Sequence, residues 1–170
     1  DGHAQERSLL GEVLPTLQPG ELWLHDRNFC TRAFLCGHVA RGAFFISRQH
    51  QQLPFESSTP WRRAGRVETG RVAEQQVSVT DLAGHAHTFR RIRVELDEPT
   101  REGERVLYVL TNLPHNAVST KTIARLYRKR WTIETAFQQL EDHLHSEINT
   151  LGYPQAALFG QSVREMGALL

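Results

Sequence analysis

The stretch Glu21-Leu22-Trp23-Leu24-His25-Asp26-Arg27-Asn28, followed after one helical pattern by Ala43-Phe44-Phe45-Ile46, decides the fold class. Glu21 to Asp26 reads as a short buried strand, and the polar Asp26-Arg27-Asn28 at its end marks a strand-to-helix turn. Asp26 therefore sits on a strand tip. The spacing predicts a helix from about Thr31 to Arg41, with Thr31 as N-cap and Gly42 just past the end. Ala43 to Ile46 then reads as a central strand. Upstream, Leu9, Leu10, Val13, Leu14 and Leu17 have the three-and-four spacing of an amphipathic helix over Ala4 to Leu17, closed by Pro19-Gly20. Helix, strand, helix, strand is the alternation of an α/β sheet with crossover connections.

Outward from this core the pattern changes. Gln49 to Pro60 is rich in Gln, Ser and Pro, and the chain beyond it alternates with period two. Val72 to Thr80 and His87 to Leu96 flank Asp81-Leu82-Ala83-Gly84, a hairpin loop. Pro99 to Glu104 is a second turn, and Arg105 to Thr111 returns the chain to the main sheet. A β-rich segment over 49–104 is thus inserted between a first part of the core at 1–48 and its continuation at 105–150. The longest predicted helix follows, capped by Ser119 or Thr120, with Ile123, Leu126, Ile133, Phe137, Leu140 and Leu144 as one stripe. At about 100° per residue, Tyr127, Arg130, Glu134 and Glu141 fall within roughly a 60° arc at the stripe's edge. Residues 151–170 read as a further, truncated helix opened near Pro154.

The chain has 170 residues, 39% of them apolar, so a packed core is expected and dominant disorder is excluded. Its longest apolar runs are a few residues, far below the roughly 20 of a membrane helix. The start, Asp1-Gly2-His3-Ala4-Gln5-Glu6-Arg7, has neither the basic stretch nor the apolar run of a signal peptide and reads as the interior of a longer protein. Cys30 and Cys36 are too few for a disulfide framework and read as small buried hydrophobes of a cytosolic protein. Lys and Arg number 20 against 19 Asp and Glu, so any nucleic-acid contact is a local patch rather than a whole basic surface.

Two constellations carry chemistry. Asp26 at a strand tip and Glu134 on the helix after the last strand can converge at one sheet edge, where a hard divalent ion takes carboxylate oxygens and phosphate. The plainer reading makes Asp26 a turn cap and Glu134 a solvated residue. The second is the basic run Lys121, Arg125, Arg128, Lys129 and Arg130. Positive charge early in a helix opposes the macrodipole, so phosphate binding explains it better than helix stability does; a solvated face paired with acids is the alternative. Arg62-Arg63 beside Trp61, and Arg90, Arg91 and Arg93, are further basic clusters. There Trp61 either stacks on an unpaired base or anchors a loop. His85-x-His87 and His143-x-His145 make poor zinc sites, since i and i+2 diverge on a helix and no CxxC or HExxH completes them. GxSxG, P-loop and GxGxxG motifs are absent from the sequence.

Leu22 to Thr31, together with Tyr127-x-x-Arg130-x-x-x-Glu134 after a strand ending at Thr111-Asn112-Leu113, resembles the DDE transposases of bacterial insertion sequences. The branch is the one with a β-rich insertion and a Tyr-Arg-Glu-Lys signature. The resemblance implies a ribonuclease H-like mixed sheet with flanking helices and three carboxylates holding two Mg²⁺ ions, or Mn²⁺, for in-line attack on DNA phosphodiesters. Asp26 and Glu134 would be catalytic metal ligands. Tyr127 and Arg130 would contact transposon-end phosphate and orient Glu134; Lys121, Arg128 and Lys129 are expected on DNA from the basic run itself. The implied partners are double-stranded transposon-end and target DNA and a second protomer, with no membrane, in the bacterial cytoplasm at the nucleoid. Two positions depart from the pattern. Glu141 stands where the signature has Lys, and the family's first catalytic Asp lies upstream of the helix that opens this chain, where nothing here matches it. Little strand transfer is therefore expected of these 170 residues alone. A non-catalytic DNA-binding remnant is the second reading.

Overall fold

The computed structural model describes residues 10–100 and 102–130. The part of the longest expected helix beyond residue 130, with Glu134, Glu141, His143 and His145, and the expected helix over 151–170 lie outside the described residues, as does most of the first expected helix. Of that first helix, α1 (Leu10–Val13) is described, followed by a 3₁₀ turn over Leu14–Thr16. The regular helix stops before Leu17 because Pro15 has no N–H to donate back. Leu17 N–H instead bonds the Leu14 carbonyl at 3.3 Å.

Strand β1 (Leu22–His25) runs parallel to β2 (Phe44–Arg48), with Leu22 opposite Phe44 and His25 opposite Ser47. Helix α2 (Arg32–Ala40) connects them. The expected boundaries hold here: the Thr31 hydroxyl accepts from Phe34 N–H at 3.3 Å, and Gly42 takes the left-handed φ of 68° that ends the helix. Everything after β2 is antiparallel. Strands β3 (Glu56–Ser57), β4 (Arg62–Val67), β5 (Gly70–Thr80), β6 (Ala86–Leu96) and β7 (Val106–Thr111) complete one sheet in the order β1-β2-β7-β6-β5-β3, with β4 also on β5. The β5–β6 hairpin is the one anticipated around Asp81 to Gly84. Segment 49–104 is joined edge to edge with the rest, since β6 pairs β7 and β7 pairs β2.

Beyond β7, the Asn112 side chain continues the ladder: its Oδ1 accepts from Phe45 N–H at 2.9 Å and its Nδ2 donates to the Ala43 carbonyl at 2.8 Å. Ser119 caps the next helix, α3, described over residues 120–130; its hydroxyl accepts from Thr122 N–H at 3.2 Å. Thr120, the other expected cap, is already helical.

The period-two alternation of the strands sends side chains to two cores. Ile46, Val72, Ile92, Val94, Leu107 and Val109 meet Ile123, Ala124 and Tyr127 of α3. On the opposite face Phe45, Val77, Val79, Phe89 and Leu110 meet Leu35 and Cys36 of α2, with Cys30 and Leu53. Burying a side chain such as Ile92 or Phe89 contributes about 1.5–3 kcal/mol, so both faces of the sheet are held. Cys30 and Cys36 are free, buried thiols, as the sequence suggests, and burial pushes each up to about 11.

Candidate active site

Asp26 leaves β1 in extended conformation (φ −74°, ψ 169°) and opens a 3₁₀ turn over Arg27–Phe29. Its Oδ1 accepts from Arg27 N–H at 2.6 Å, which is the turn-capping role that any Asp after a strand can fill. A second contact goes further. Arg130 of α3 brings Nη1 to 4.0 Å from the same Oδ1, with the Asp26 side chain 32% and the Arg130 side chain 16% exposed. Residues near opposite ends of the described chain thus meet at one sheet edge. Both contacts fall on Oδ1. A partly exposed carboxylate at a strand tip suits a hard divalent cation.

Behind Asp26 the wall is uncharged. His25 is buried among Phe34, His38 and Phe45, with ring centroids 4.9, 4.7 and 6.4 Å away. Burial first, then the charges of His38 and Arg130, hold its pKa well below the usual range. The imidazole next to Asp26 is thereby neutral and adds no second positive charge to compete for the carboxylate.

Tyr127 lies in the α3–sheet core, 2% exposed, rather than on the surface. The Arg130 guanidinium stands 6.0 Å from its ring, so the tyrosine backs the arginine that reaches Asp26. The helix period puts the other cations elsewhere: Lys121, Arg125 and Arg128 share a face roughly opposite Arg130, at about 100° per residue. All three are exposed, as is Lys129. Glu68 at the β4–β5 turn reaches both Arg125 (3.0 Å) and Arg128 (3.6 Å), and hydrogen bonds from its own backbone N–H and from Arg125 lower its pKa.

The remaining sequence candidates separate in space. Alternation along β6 splits the Arg90, Arg91, Arg93 cluster: Arg90 turns into the α3 face and is 6% exposed, while Arg91 and Arg93 face the other side. There Arg91 lies 4.1 Å from the Tyr108 ring centroid, 4.5 Å from Phe55 and 5.3 Å from Trp61, and Arg93 lies 4.9 Å from Trp61. Trp61 anchors its loop by stacking on these arginines. His85 and His87 both approach Asp81 Oδ2, at 3.3 and 3.1 Å, holding its carboxyl well below the usual range, with the His87 bond as the largest cause. Among the described residues no group of three His, Cys, Asp or Glu is arranged to hold a metal. Sequence reasoning missed Glu104, which pairs with Arg48 of β2 and lies 3.7 Å from Arg27, linking the Asp26 turn to the β6–β7 connection. Glu104 lies in an expected turn, where charge alone gives no sign of a partner.

A mixed sheet with helices on both faces, a carboxylate at a strand tip and an arginine-bearing helix closing over it belongs to the ribonuclease H-like class of DNA-processing folds. The family model described as "Transposase DDE domain" matches residues 1–157, and the chain is a member of that family. The match spans both motif regions and favours a transposase over a non-catalytic remnant. Its substrate is accordingly DNA, and the family's cleavage chemistry in general uses divalent metal ions. No curated protein matches the chain. No helix among the described residues is long and apolar enough to cross a membrane.

Proposed function

We propose that Asp26 and Glu134 are two of the carboxylates that hold Mg²⁺, with Mn²⁺ as a substitute, for phosphodiester cleavage and strand transfer at transposon ends. The single observation that carries this reading is the 4.0 Å approach of Arg130 to Asp26, since Arg130 and Glu134 belong to the same Tyr127-x-x-Arg130-x-x-x-Glu134 motif, four residues apart in sequence. In such a site the chemistry that bound divalent ions supply is activation of the attacking oxygen and stabilisation of the leaving one. The chain's own residues do the rest. Asp26 offers its partly exposed carboxylate; Arg130, braced by Tyr127, holds a DNA phosphate bidentately beside it. Lys121, Arg128 and Lys129, exposed on other faces of α3, contact DNA phosphate apart from Arg130 and without reading bases. The wider reading includes an upstream third carboxylate, a core over 1–48 and 105–150 with 49–104 inserted, a further helix over 151–170, a homodimer that brings two ends together, and action in the bacterial cytoplasm at the nucleoid.

Isothermal titration of Mn²⁺ into the full-length protein tests the metal, and Mg²⁺-dependent cutting of a plasmid carrying the transposon ends tests the reaction. Asp26→Ala and Glu134→Ala are each expected to remove Mn²⁺ binding and to lower cleavage at least about 100-fold, with DNA affinity within about threefold of the parent. Unchanged cleavage in either variant overturns the assignment of that carboxylate.

A further inference from the structure

Arg90 is buried and hydrogen-bonded through Nε, Nη1 and Nη2, and none of these partners belongs to the catalytic edge. Its Nε donates to Glu74 Oε1 at 2.9 Å and its Nη2 to Glu74 Oε2 at 2.8 Å, a bidentate pair across the β5–β6 hairpin. The remaining donors leave the sheet. Nη1 reaches the carbonyl oxygens of Val118 (2.8 Å), Leu113 (3.2 Å) and Pro114 (3.4 Å), and Nη2 reaches the Thr120 hydroxyl at 3.4 Å. Thr120 in turn donates to Glu74 Oε2. Residues 112–119 form the connection from β7 to α3, so one guanidinium holds its start, its end and the first residue of α3. Burial raises the Glu74 pKa, but the bonds from Arg90 and Thr120 outweigh that and keep it below the usual carboxylate value.

A buried ion pair returns little net stability over apolar residues of the same volume, because desolvation consumes most of the attraction. What this pair specifies is direction. Helix α3 rises about 1.5 Å per residue, so its described length is about 15 Å, and a tilt of about 10° at Thr120 displaces residue 130 by about 3 Å. That is close to the whole 4.0 Å gap between Arg130 and Asp26. Displacements of that order are costly where reacting groups must be aligned.

We propose that Arg90 and Glu74 are positioning residues: from the β5–β6 hairpin they fix the direction of α3 and thereby the approach of Arg130 to Asp26. The catalytic meaning of that approach rests on the function proposed above, whereas the geometric part stands by itself.

The test is a distance between spin labels at Ala33→Cys on α2 and Lys129→Cys on α3 in the full-length protein; buried Cys30 and Cys36, with thiols pushed up to about 11, leave the introduced cysteines to react. In the Arg90→Met/Glu74→Met double variant the thermal midpoint is expected to fall, since the Leu113, Pro114 and Val118 carbonyls lose their donor, while the distance distribution of the folded protein shifts or broadens by about 3 Å. Arg90→Lys keeps the charge, loses the fork and is expected to broaden it less. An unchanged distribution in the folded double variant overturns the proposal; if that variant does not fold, an unchanged distribution in both Arg90→Lys and Thr120→Val does so. In unlabelled protein that cleaves DNA, kcat is expected to fall about 100-fold with KM for DNA retained, and an unchanged kcat beside shifted distances overturns the catalytic part. Absence of Mn²⁺ binding in the wild type, with the label distances still responding to Arg90, removes the metal assignment and leaves the positioning in place.

Discussion

His38 is fully buried, and its Nδ1 donates to the Phe34 carbonyl at 2.8 Å, which leaves Nε2 without a partner among the described residues. Burial lowers its pKa from 6.5 to about 4, so the folded protein refuses a proton that the unfolded chain accepts between those values. Stability is therefore flat above pH 6.5 and falls as pH drops toward 4. Urea unfolding is expected to give about 2 kcal/mol less at pH 5 than at pH 7 from this residue. His38→Leu is expected to flatten the profile in part, the remainder coming from His25, whose pKa is lowered too. Gly70 makes a different demand: a methyl group there meets the Glu95 carbonyl oxygen across the hairpin, so Gly70→Ala is expected to cost about 2–4 kcal/mol in a thermal melt. Asp26 was legible in sequence because a polar residue ending an apolar run falls at a strand tip. Arg90 was not, because adjacency to Arg91 and Arg93 suggests a surface patch until alternation sorts them onto opposite faces.

Helix α3 shows what an element adds to its residues. Its cap at Ser119 and its apolar stripe follow from local pattern, as do Thr31 and Gly42 around α2, since capping and the 3.6-residue period act within a few positions. The engagement of Arg125 and Arg128 with Glu68 is invisible locally, because that carboxylate comes from a turn on the neighbouring hairpin. Glu68 competes with phosphate for the same two arginines. Glu68→Gln is expected to raise DNA affinity severalfold at low salt and to steepen the dependence of log K on log salt by about 1; fluorescence anisotropy across a salt series measures both. Strand β3 escaped sequence reading because two residues, Glu56 and Ser57, pair through backbone alone. Asn112 escaped it as well, standing in for backbone through its side chain. Asn112→Asp removes the donor to Ala43 and is expected to destabilise by about 1–3 kcal/mol in urea unfolding.

Across the whole molecule, the alternation of helices and strands marks a mixed α/β fold, yet the strand order lies beyond local pattern, because a strand's period says which face is buried and nothing about which neighbour it chooses. That choice joins β2 to β7, with Ile46 opposite Thr111, whereas β4, β5, β6 and β7 follow one another through short connections. Substituting Leu110→Ala at the β2–β7 seam is expected to speed unfolding with little effect on the folding rate, while Ile92→Val in the hairpin meander slows folding, as stopped-flow chevrons would show. The seam also sets a timetable for synthesis. At about 5–20 residues per second, the roughly 60 residues between its partners take about 3–12 s to emerge. For that interval β1, α2 and β2 stand outside the ribosome with one side of β2 still open, so the nascent chain carries an unpaired strand that chaperones can hold until β7 arrives.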